Sequence, residues 1–161
     1  PEGMCRIENP QIPFDFAPVR FAREDRGAYL LVLSLNTSVN IRVGALGEVS
    51  FAAGYYVYAG SAKSHLNSRV TRHLRKKSKR FHWHIDYLRA HAHEARALPI
   101  FTDQDIECEL AASLRSIGGL TIKDFGCSDC SCDTHLFYFS ENPLHQAAFN
   151  ELLLEFRHAR I

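Results

Sequence analysis

Three tyrosines lie in one short apolar stretch, GYYVYAGSA at residues 54–62. If this stretch is a strand, its side chains alternate between two faces, so Tyr56 and Tyr58 share one face and Tyr55 and Val57 share the other. A tyrosine hydroxyl can orient a water molecule, or deprotonate it if a metal or an arginine lowers the tyrosine pKa from about 10. We expect Tyr56 and Tyr58 to face a functional site, with Tyr58 the better candidate for activating water. The alternative is that both are core tyrosines with bonded hydroxyls.

A basic segment follows this stretch. Residues 69–80, RVTRHLRKKSKR, carry seven lysines and arginines and no acidic residue, although the whole chain has 19 basic and 18 acidic residues. This local positive charge would attract polyanions, and the start of a nearby helix could accept a phosphate. A solvated helix face is the alternative. The residues predicted to contact nucleic acid are His65, Arg69, Arg72, Arg75, Lys76, Lys77 and Lys79.

Three residues of this basic segment could also take part in catalysis. Arg69 and Arg72 could stabilise charge that develops on a phosphoryl group. His73 lies one helical turn after Arg69 and is an alternative general base to Tyr58, because the pKa of histidine is naturally near neutrality.

A glutamate on a later predicted helix could bind a metal. Glu107 shares a helix face with Leu110, Ala111 and Leu114, whereas Glu109 points elsewhere. A carboxylate beside an apolar face is costly unless it is paired. The partner could be a divalent metal, or it could be an arginine of the basic segment in a structural salt bridge.

Cysteines and a histidine are concentrated in CSDCSCDTH. Cys127, Cys130, Cys132 and His135 offer four soft ligands within nine residues, which meets the chemical requirement of tetrahedral zinc. The spacing is very local and lacks the separated pairs of ordinary zinc folds, so structural zinc is not the favoured interpretation. We instead expect a loop that brings Asp129, Cys130 or His135 to the edge of the site.

The length and composition indicate one domain. A chain of 161 residues can bury a core, and its longest apolar runs, such as YLLVLSL, are too short to span a bilayer. We interpret residues 1–24 as an N-terminal arm or linker and residues 25–161 as the domain.

The cellular compartment is predicted from the start of the chain and from its cysteines. The start of the chain has no secretory signal pattern. The number of cysteines is odd and they are clustered, which does not suggest a disulfide framework, so we expect a cytoplasmic protein.

The periodicity of apolar residues predicts an α+β fold. The predicted strands are GAYLLVLSL, NIRV, EVSFAAG, YYVYAG, ARALPIF and HLFYF. NIRV and EVSFAAG should form a hairpin around the turn GALG. The strands from GAYLLVLSL to YYVYAG should form a small antiparallel sheet of neighbours in sequence. Four helices are predicted. The first runs from an N-cap at Ser61 or Ser64 to about Lys77, and the second is WHIDYLRAH. The third lies in TDQDIECELAASLRSIGG, where Thr102 and Asp105 have capping-box spacing, and the closing helix has Pro143 near its start.

The order of these features resembles the GIY-YIG nuclease superfamily. GAY at residues 27–29 precedes YAG at residues 58–60, and an arginine and then a glutamate follow on later helices. The chain more closely resembles a divergent, uncharacterised branch of this superfamily found in bacteria and archaea. The blocks that carry this resemblance, in order, are GYYVYAGSA, RVTRHLR, HWHIDYL, ECELA and FGCSDCSCDTHLFY. The resemblance runs from about Gly27 to Phe139.

The resemblance implies a domain with a small three-stranded antiparallel sheet flanked by helices, which cuts DNA phosphodiester bonds using one Mg²⁺ or Mn²⁺ ion. The predicted hairpin between GAY and YAG is an addition to that core. Tyr29 and Tyr58 match the two motif tyrosines, Arg69 matches the helix arginine, and Glu107 matches the metal-binding glutamate. It implies duplex, branched or single-stranded DNA as the partner, for example in DNA repair. A non-catalytic nucleic-acid-binding module and a zinc- or thiol-linked interaction domain stay open as alternatives.

Overall fold

The chain has the predicted α+β fold, built on one main antiparallel sheet. The computed structural model describes residues 24–77 and 79–158, so the predicted arm at residues 1–24 lies outside the described residues except for Glu24. Among the described residues, five strands form the main sheet, in the order β5-β1-β4-β7-β6, and β2 and β3 form a second sheet. The strands are β1 (Gly27–Leu35), β2 (Val39–Arg42), β3 (Glu48–Phe51), β4 (Gly54–Ala62), β5 (Glu94–Phe101), β6 (Leu120–Thr121) and β7 (Leu136–Phe139).

Helices cover both faces of the main sheet. Those in the described ranges are α1 (Leu66–Leu74), α2 (His84–His91), α3 (Glu107–Ser116) and α4 (Ala147–His158). Alternate residues of β1 enter two different cores: Leu30 packs with residues of α3 and α4, and Leu31 packs with residues of α1 and α2. Because β1 is covered on both faces, almost all of its residues are buried.

The hairpin of β2 and β3 pairs only within itself, so the prediction that it joins the main sheet through its sequence neighbours is wrong. The reason is that β1 is already paired along almost its whole length, with β4 on one side and β5 on the other. The hairpin instead packs Ile41, Val43 and Phe51 over the sheet face that carries Tyr56. It therefore adds to one core without widening the sheet.

Two helices begin later than predicted. The expected N-cap of α1 at Ser61 or Ser64 is wrong, because β4 continues through Ala62; α1 begins only after His65 and ends at Leu74, before Lys77. His65 has a left-handed backbone conformation with φ of 54°, which turns the chain from the strand into the helix.

The predicted capping box of α3 is also wrong. This helix begins at Glu107 with no side-chain cap from Ile106, and the hydroxyl of Thr102 accepts a hydrogen bond from the backbone N–H of Gln104, 3.1 Å away. Thr102 therefore stabilises a turn ahead of the helix and not the helix start.

Pro143 lies in a short 3-10 turn, residues 143–145, that precedes α4, and not at the start of α4 itself. Asn142 caps this turn by accepting a hydrogen bond from the N–H of Leu144. Of the helices in the described part of the chain, none has the length and apolar character needed to cross a membrane.

Candidate active site and metal cluster

The two motif tyrosines lie on neighbouring strands of the sheet. The pairing of β1 with β4 places Tyr29 opposite Gly60 and Tyr58 opposite Leu31, and the two tyrosine rings have centroids 6.4 Å apart. A Cβ atom at Gly60 would lie 2.4 Å from the Tyr29 hydroxyl oxygen. Glycine at this position therefore leaves the space in which the ring of Tyr29 lies across β4.

The predicted alternation along β4 is confirmed. Tyr56 and Tyr58 pack in one core and Val57 packs in the other. Tyr56 is fully buried and its hydroxyl donates a hydrogen bond to the carbonyl oxygen of Ala52, 2.7 Å away. Only Tyr58 of this pair lines the cavity described next, so Tyr56 has the core role that was the alternative interpretation.

Residues distant in sequence line one cavity of about 390 Å³ at the end of the sheet. It is open to solvent and lies between β1, β4, the start of α3 and the loop that follows β6. The polar and aromatic residues in its wall include Tyr29, Tyr58, Ser61, Arg69, Glu107 and Asp129. The structure therefore brings together Tyr29, Tyr58, Arg69 and Glu107, the four residues that the sequence resemblance singled out.

The carboxylate of Glu107 is held on both oxygens. The hydroxyl of Ser61 donates a hydrogen bond to Oε2, and Nδ1 of His135 lies 2.7 Å from Oε1. Burial by itself would raise the pKa of Glu107, but the contacts with His135 and Ser61 outweigh burial and lower it. Glu107 is thus an ionised carboxylate in the cavity wall, and its partners are not the arginines that the sequence suggested.

Arg69 reaches the same cavity from α1 and is fixed in position. One guanidinium nitrogen donates a hydrogen bond to the carbonyl oxygen of Ser61, 2.6 Å away, and the guanidinium carbon lies 5.1 Å from the centroid of the Trp83 ring. Stacking on an aromatic ring favours a planar guanidinium cation. Several N–H groups of Arg69 stay available for an anion in the cavity.

The tyrosine hydroxyls of the site stay protonated in the protein as it stands. Burial raises the pKa of Tyr29 and of Tyr58 well above the ordinary value for tyrosine, although the charge of Arg69 partly opposes this effect. The hydroxyl of Tyr29 lies 2.9 Å from Nε2 of His73. Burial lowers the pKa of His73, so this imidazole is neutral near pH 7, and its Nε2 can accept a hydrogen bond from the Tyr29 hydroxyl.

Behind the cavity, Asp86 is fully buried in a network of charges. Both of its oxygens bind the guanidinium of Arg72, each at 3.0 Å, and Nζ of Lys79 lies 3.4 Å from Oδ1. The backbone N–H groups of His82 and Trp83 also donate to Asp86. Burial alone would raise the pKa of Asp86, but these hydrogen bonds and His73 hold it far below its usual range.

The predicted nucleic-acid residues fall into two groups. Arg72 and Lys79 pair with Asp86, and Lys76 donates to the carbonyl oxygen of Ala92, so these three cations have partners within the protein. Arg69 lines the cavity. The remaining predicted residues, His65, Arg75 and Lys77, are exposed on or beside α1. Nothing in the structure tests contact with nucleic acid for any of them, and it stays a prediction.

A second site lies next to the cavity, on the far side of His135. Cys108, Cys130, Cys132 and His135 each place a ligand atom within 4.8 Å of the others, an arrangement that could hold a metal ion. Nε2 of His135 lies 3.3 Å from the sulfur of Cys130 and 4.0 Å from that of Cys108. With metal–sulfur bonds of about 2.3 Å, a tetrahedral zinc site has ligand atoms roughly 3.5–3.8 Å apart.

The predicted ligand set of this cluster is wrong in one member, because Cys108 takes the place of Cys127. The sulfur of Cys127 contacts the carbonyl oxygen of Asp133 at 3.6 Å, since the loop turns back on itself there. Cys108 enters from the first turn of α3, directly after Glu107. The cluster therefore joins a helix to the loop, and it has the separated ligands that the loop alone lacks.

A family model described as a domain of unknown function, DUF123, matches residues 28–158. The chain belongs to this family. The match runs from the second residue of β1 to the end of α4, so the cavity and the cysteine–histidine cluster both lie within the DUF123 domain. No curated protein and no solved structure matches the chain.

Sequence reasoning missed several residues that shape the DUF123 site. Ser61 directly follows YAG and holds Glu107, and its position beside the motif was an available signal. Asp86 lies in the HWHIDYL block, so a signal existed there, but its partners Arg72 and Lys79 meet it only through the packing of α1 and the segment after it on α2. Cys108 stands alone in its helix, so no spacing pattern connected it with the cysteines of the loop.

Proposed function

We propose that this DUF123 domain is a divalent-metal-dependent endonuclease of the GIY-YIG type, hydrolysing phosphodiester bonds in DNA. One observation carries the proposal: Tyr29, Tyr58, Arg69 and Glu107 come from four different elements and line the same cavity. Hydrolysis of a phosphodiester needs an activated water, a cation for the developing charge and a Lewis acid on a phosphoryl oxygen. The cavity offers residues for each requirement.

The donor set of the cavity fits a hard divalent cation. Glu107 is ionised and its side chain is 22% exposed, and Asp129 offers a second carboxylate in the same wall. Each carboxylate oxygen has two lone pairs, so Glu107 can accept from Ser61 and His135 and still bind a cation. Mg²⁺ is commonly held by one or two carboxylates and keeps several waters. When bound, it would supply the Lewis acid for a phosphoryl oxygen.

The protein groups then have separate tasks. Arg69, fixed by Ser61 and Trp83, binds and stabilises the negative charge of the phosphoryl oxygens. The hydroxyl of Tyr58 orients the attacking water. Tyr29 accepts the proton of that water as its own hydroxyl proton moves to Nε2 of the neutral His73, 2.9 Å away. This arrangement removes the need for a free tyrosinate, which burial makes unfavourable, and the charge of Asp86, 3.8 Å from Nδ1, opposes the effect of burial on the imidazolium that forms at His73.

DNA is the partner that this charge distribution favours. Lys63 and Ser64 line the cavity beside Arg69, and Arg75 and Lys77 extend the exposed positive surface along the chain from α1. Such a surface gives affinity for a phosphate backbone that falls as salt increases. We expect binding to duplex, branched and single-stranded DNA. Which of these DNAs are cleaved should depend on whether a strand can enter the cavity.

The test is cleavage of a panel of labelled duplex, single-stranded, flap and junction DNAs with Mn²⁺ or Mg²⁺. Wild type should cut at least one substrate, and Glu107→Gln should abolish cleavage while leaving binding to a labelled duplex intact. Glu109→Gln is the matched control, because Glu109 is an exposed carboxylate two positions along the same helix. Binding without cleavage by the wild type, with every divalent metal, would contradict the proposal and favour a non-catalytic binding module.

We further propose that the metal of the cysteine–histidine cluster is zinc. Three thiolates and one imidazole form a common structural zinc ligand set, and all four positions are supplied by the protein, as in sites that are not catalytic. Metal analysis of protein purified without chelator should find about one zinc per chain, and Cys132→Ala should lose it. Protein that folds with no zinc would contradict this assignment.

A further inference from the structure

We propose that the zinc cluster positions the carboxylate of Glu107 through the imidazole of His135, so that binding of the catalytic divalent ion depends on zinc occupancy. This inference rests on the proposed function for both metal ions. It goes further by coupling the two sites, with His135 as a positioning residue between them.

The two nitrogens of His135 face two different sites. Nε2 points to the cluster, 3.3 Å from the sulfur of Cys130, and Nδ1 points to the cavity side, 2.7 Å from Oε1 of Glu107. The side chain of His135 is 2% exposed, so solvent does not compete for either nitrogen. One buried ring therefore connects the cluster with the cavity wall.

The backbone of His135 is fixed independently of any metal. Its N–H donates to the carbonyl oxygen of Phe125, and its own carbonyl oxygen accepts from the N–H of Ala59, both at 2.9 Å. Ala59 follows Tyr58 in β4, so this contact ties His135 to the strand that carries the site tyrosine. What a metal can change at His135 is therefore the ring, its orientation and its tautomer.

Ligation through Nε2 would fix the ring of His135 between the two sites. A metal on Nε2 leaves the hydrogen on Nδ1, the nitrogen that lies 2.7 Å from Oε1 of Glu107. In the structure Nδ1 is buried and makes no directed hydrogen bond, so the ring needs a small rotation for Nδ1–H to point at the carboxylate. A metal bond on Nε2 would hold the ring in such an orientation. Zinc would thus restrain Glu107 in the cavity wall through this ring.

Cys108 gives a second connection between zinc and Glu107. The two residues are neighbours in the first turn of α3, and this helix start has no side-chain cap. A bond from the Cys108 sulfur to zinc would fix the turn that carries Glu107. The cluster would then restrain both the backbone and the carboxylate of the same residue.

The first test observes the tautomer directly in the full-length protein by nitrogen-15 NMR of the histidine rings. In zinc-loaded protein, His135 should show a protected Nδ1–H resonance that shifts in Glu107→Gln, and chelation of zinc should remove this signature. A His135 ring with its hydrogen on Nε2 in zinc-loaded protein, or a Nδ1–H resonance unaffected by Glu107→Gln, would overturn the inference. This readout does not require catalysis or a bound divalent ion.

The second test separates zinc binding from the contact with Glu107 by two substitutions that each keep four soft ligands. His135→Cys keeps a zinc site but removes Nδ1, and Cys127→Ser, at a loop cysteine outside the cluster, keeps both the zinc site and His135. Manganese affinity is measured by electron paramagnetic resonance after metal analysis confirms zinc. We expect Mn²⁺ to bind about 10–100-fold more weakly to His135→Cys and unchanged to Cys127→Ser.

The outcomes distinguish the two proposals. Equal Mn²⁺ affinity in wild type and zinc-loaded His135→Cys overturns the coupling while leaving the nuclease proposal intact. Wild type that binds Mn²⁺ no better than Glu107→Gln contradicts the metal site of the proposed function and, with it, the dependence of divalent-ion binding on zinc. The NMR signature then decides only whether His135 holds Glu107 in zinc-loaded protein. If either substituted protein does not retain zinc, the NMR measurement on wild type and Glu107→Gln is the deciding one.

Discussion

The hydroxyl of Tyr29 lies 2.9 Å from Nε2 of His73, and Nδ1 of the same ring lies 3.8 Å from Oδ1 of Asp86. A cavity residue is thus connected, through one buried imidazole, to the charged network that packs α1 against α2. The cavity has a comparable connection on its other side, where His135 lies between Glu107 and the cysteine cluster. In both places a buried histidine contacts a residue that lines the cavity: His73 contacts Tyr29, and His135 contacts Glu107.

Replacing Tyr29 by phenylalanine should lower the rate of DNA cleavage by about 100-fold or more, because proton transfer by a positioned side chain contributes on that scale. DNA binding should change little, since the ring still fills the space above Gly60. Single-turnover cleavage with Mn²⁺ measures the effect. Tyr55→Phe is the control, because Tyr55 packs on the opposite face of the sheet. Wild-type cleavage rates in Tyr29→Phe would exclude Tyr29 from proton transfer.

Arg69→Lys should reduce cleavage by about 100-fold while keeping a positive charge at the cavity. A lysine cannot reproduce the planar group that stacks on Trp83 and donates to Ser61 at the same time. Arg75→Lys, at an exposed position just after α1, should cleave at nearly the wild-type rate. Parallel cleavage assays at fixed salt compare the two variants. Equal effects of the two substitutions would indicate that Arg69 acts only as part of a general positive surface.

Removal of the Asp86 side chain in Asp86→Ala should lower the free energy of unfolding by about 3–5 kcal/mol, because Arg72 and Lys79 would lose their buried counterion. Urea unfolding followed by circular dichroism gives the value. Asp103→Ala, at an exposed position in the loop before α3, should change stability by about 0.5 kcal/mol or less. A loss of similar size in both variants would show that the network around Asp86 contributes little.

His73 should make the protein less stable as the pH falls below about 6.5. Burial lowers its pKa in the folded state, so the unfolded chain takes up a proton that the folded protein does not. The stabilisation is therefore present above the unfolded pKa and is lost as the pH falls below it, by up to about 1.4 kcal/mol per pH unit.

The comparison for this pH effect is His73→Gln, which does not titrate. Wild type should lose stability relative to His73→Gln as the pH is lowered from about 7.5 to 5.5, as measured by urea unfolding. The lowered pKa of His84 acts in the same direction but is common to both proteins, so the difference isolates His73. Parallel pH profiles for the two proteins would mean that the His73 pKa does not shift on folding.

The sequence predicted the features that depend on local periodicity. Alternation along β4 placed Tyr58 on the side of the site, and helical spacing placed Glu107 beside the buried face of α3. Both inferences need only the geometry of one element, and both hold in the structure.

The features that the sequence did not reveal depend on how distant elements meet. The replacement of Cys127 by Cys108 in the cluster follows from the packing of α3 against the loop, which no spacing rule describes. The pairing of Arg72 with Asp86 joins two helices, and it gives a cation expected to contact nucleic acid a partner within the protein. The separate hairpin of β2 and β3 arises because β1 has both edges occupied.

A crystal of the zinc-loaded protein soaked in Mn²⁺, with anomalous diffraction used to locate the ion, tests the role of Glu107 without an activity assay. We expect one manganese ion bound to the carboxylate of Glu107, in the cavity shared with Tyr58 and Arg69, and distinct from the zinc at the cysteine cluster. A crystal of Glu107→Gln soaked in the same way should lack it. Manganese absent from the cavity of the wild type, or present equally in Glu107→Gln, would contradict the claim that Glu107 holds a catalytic metal.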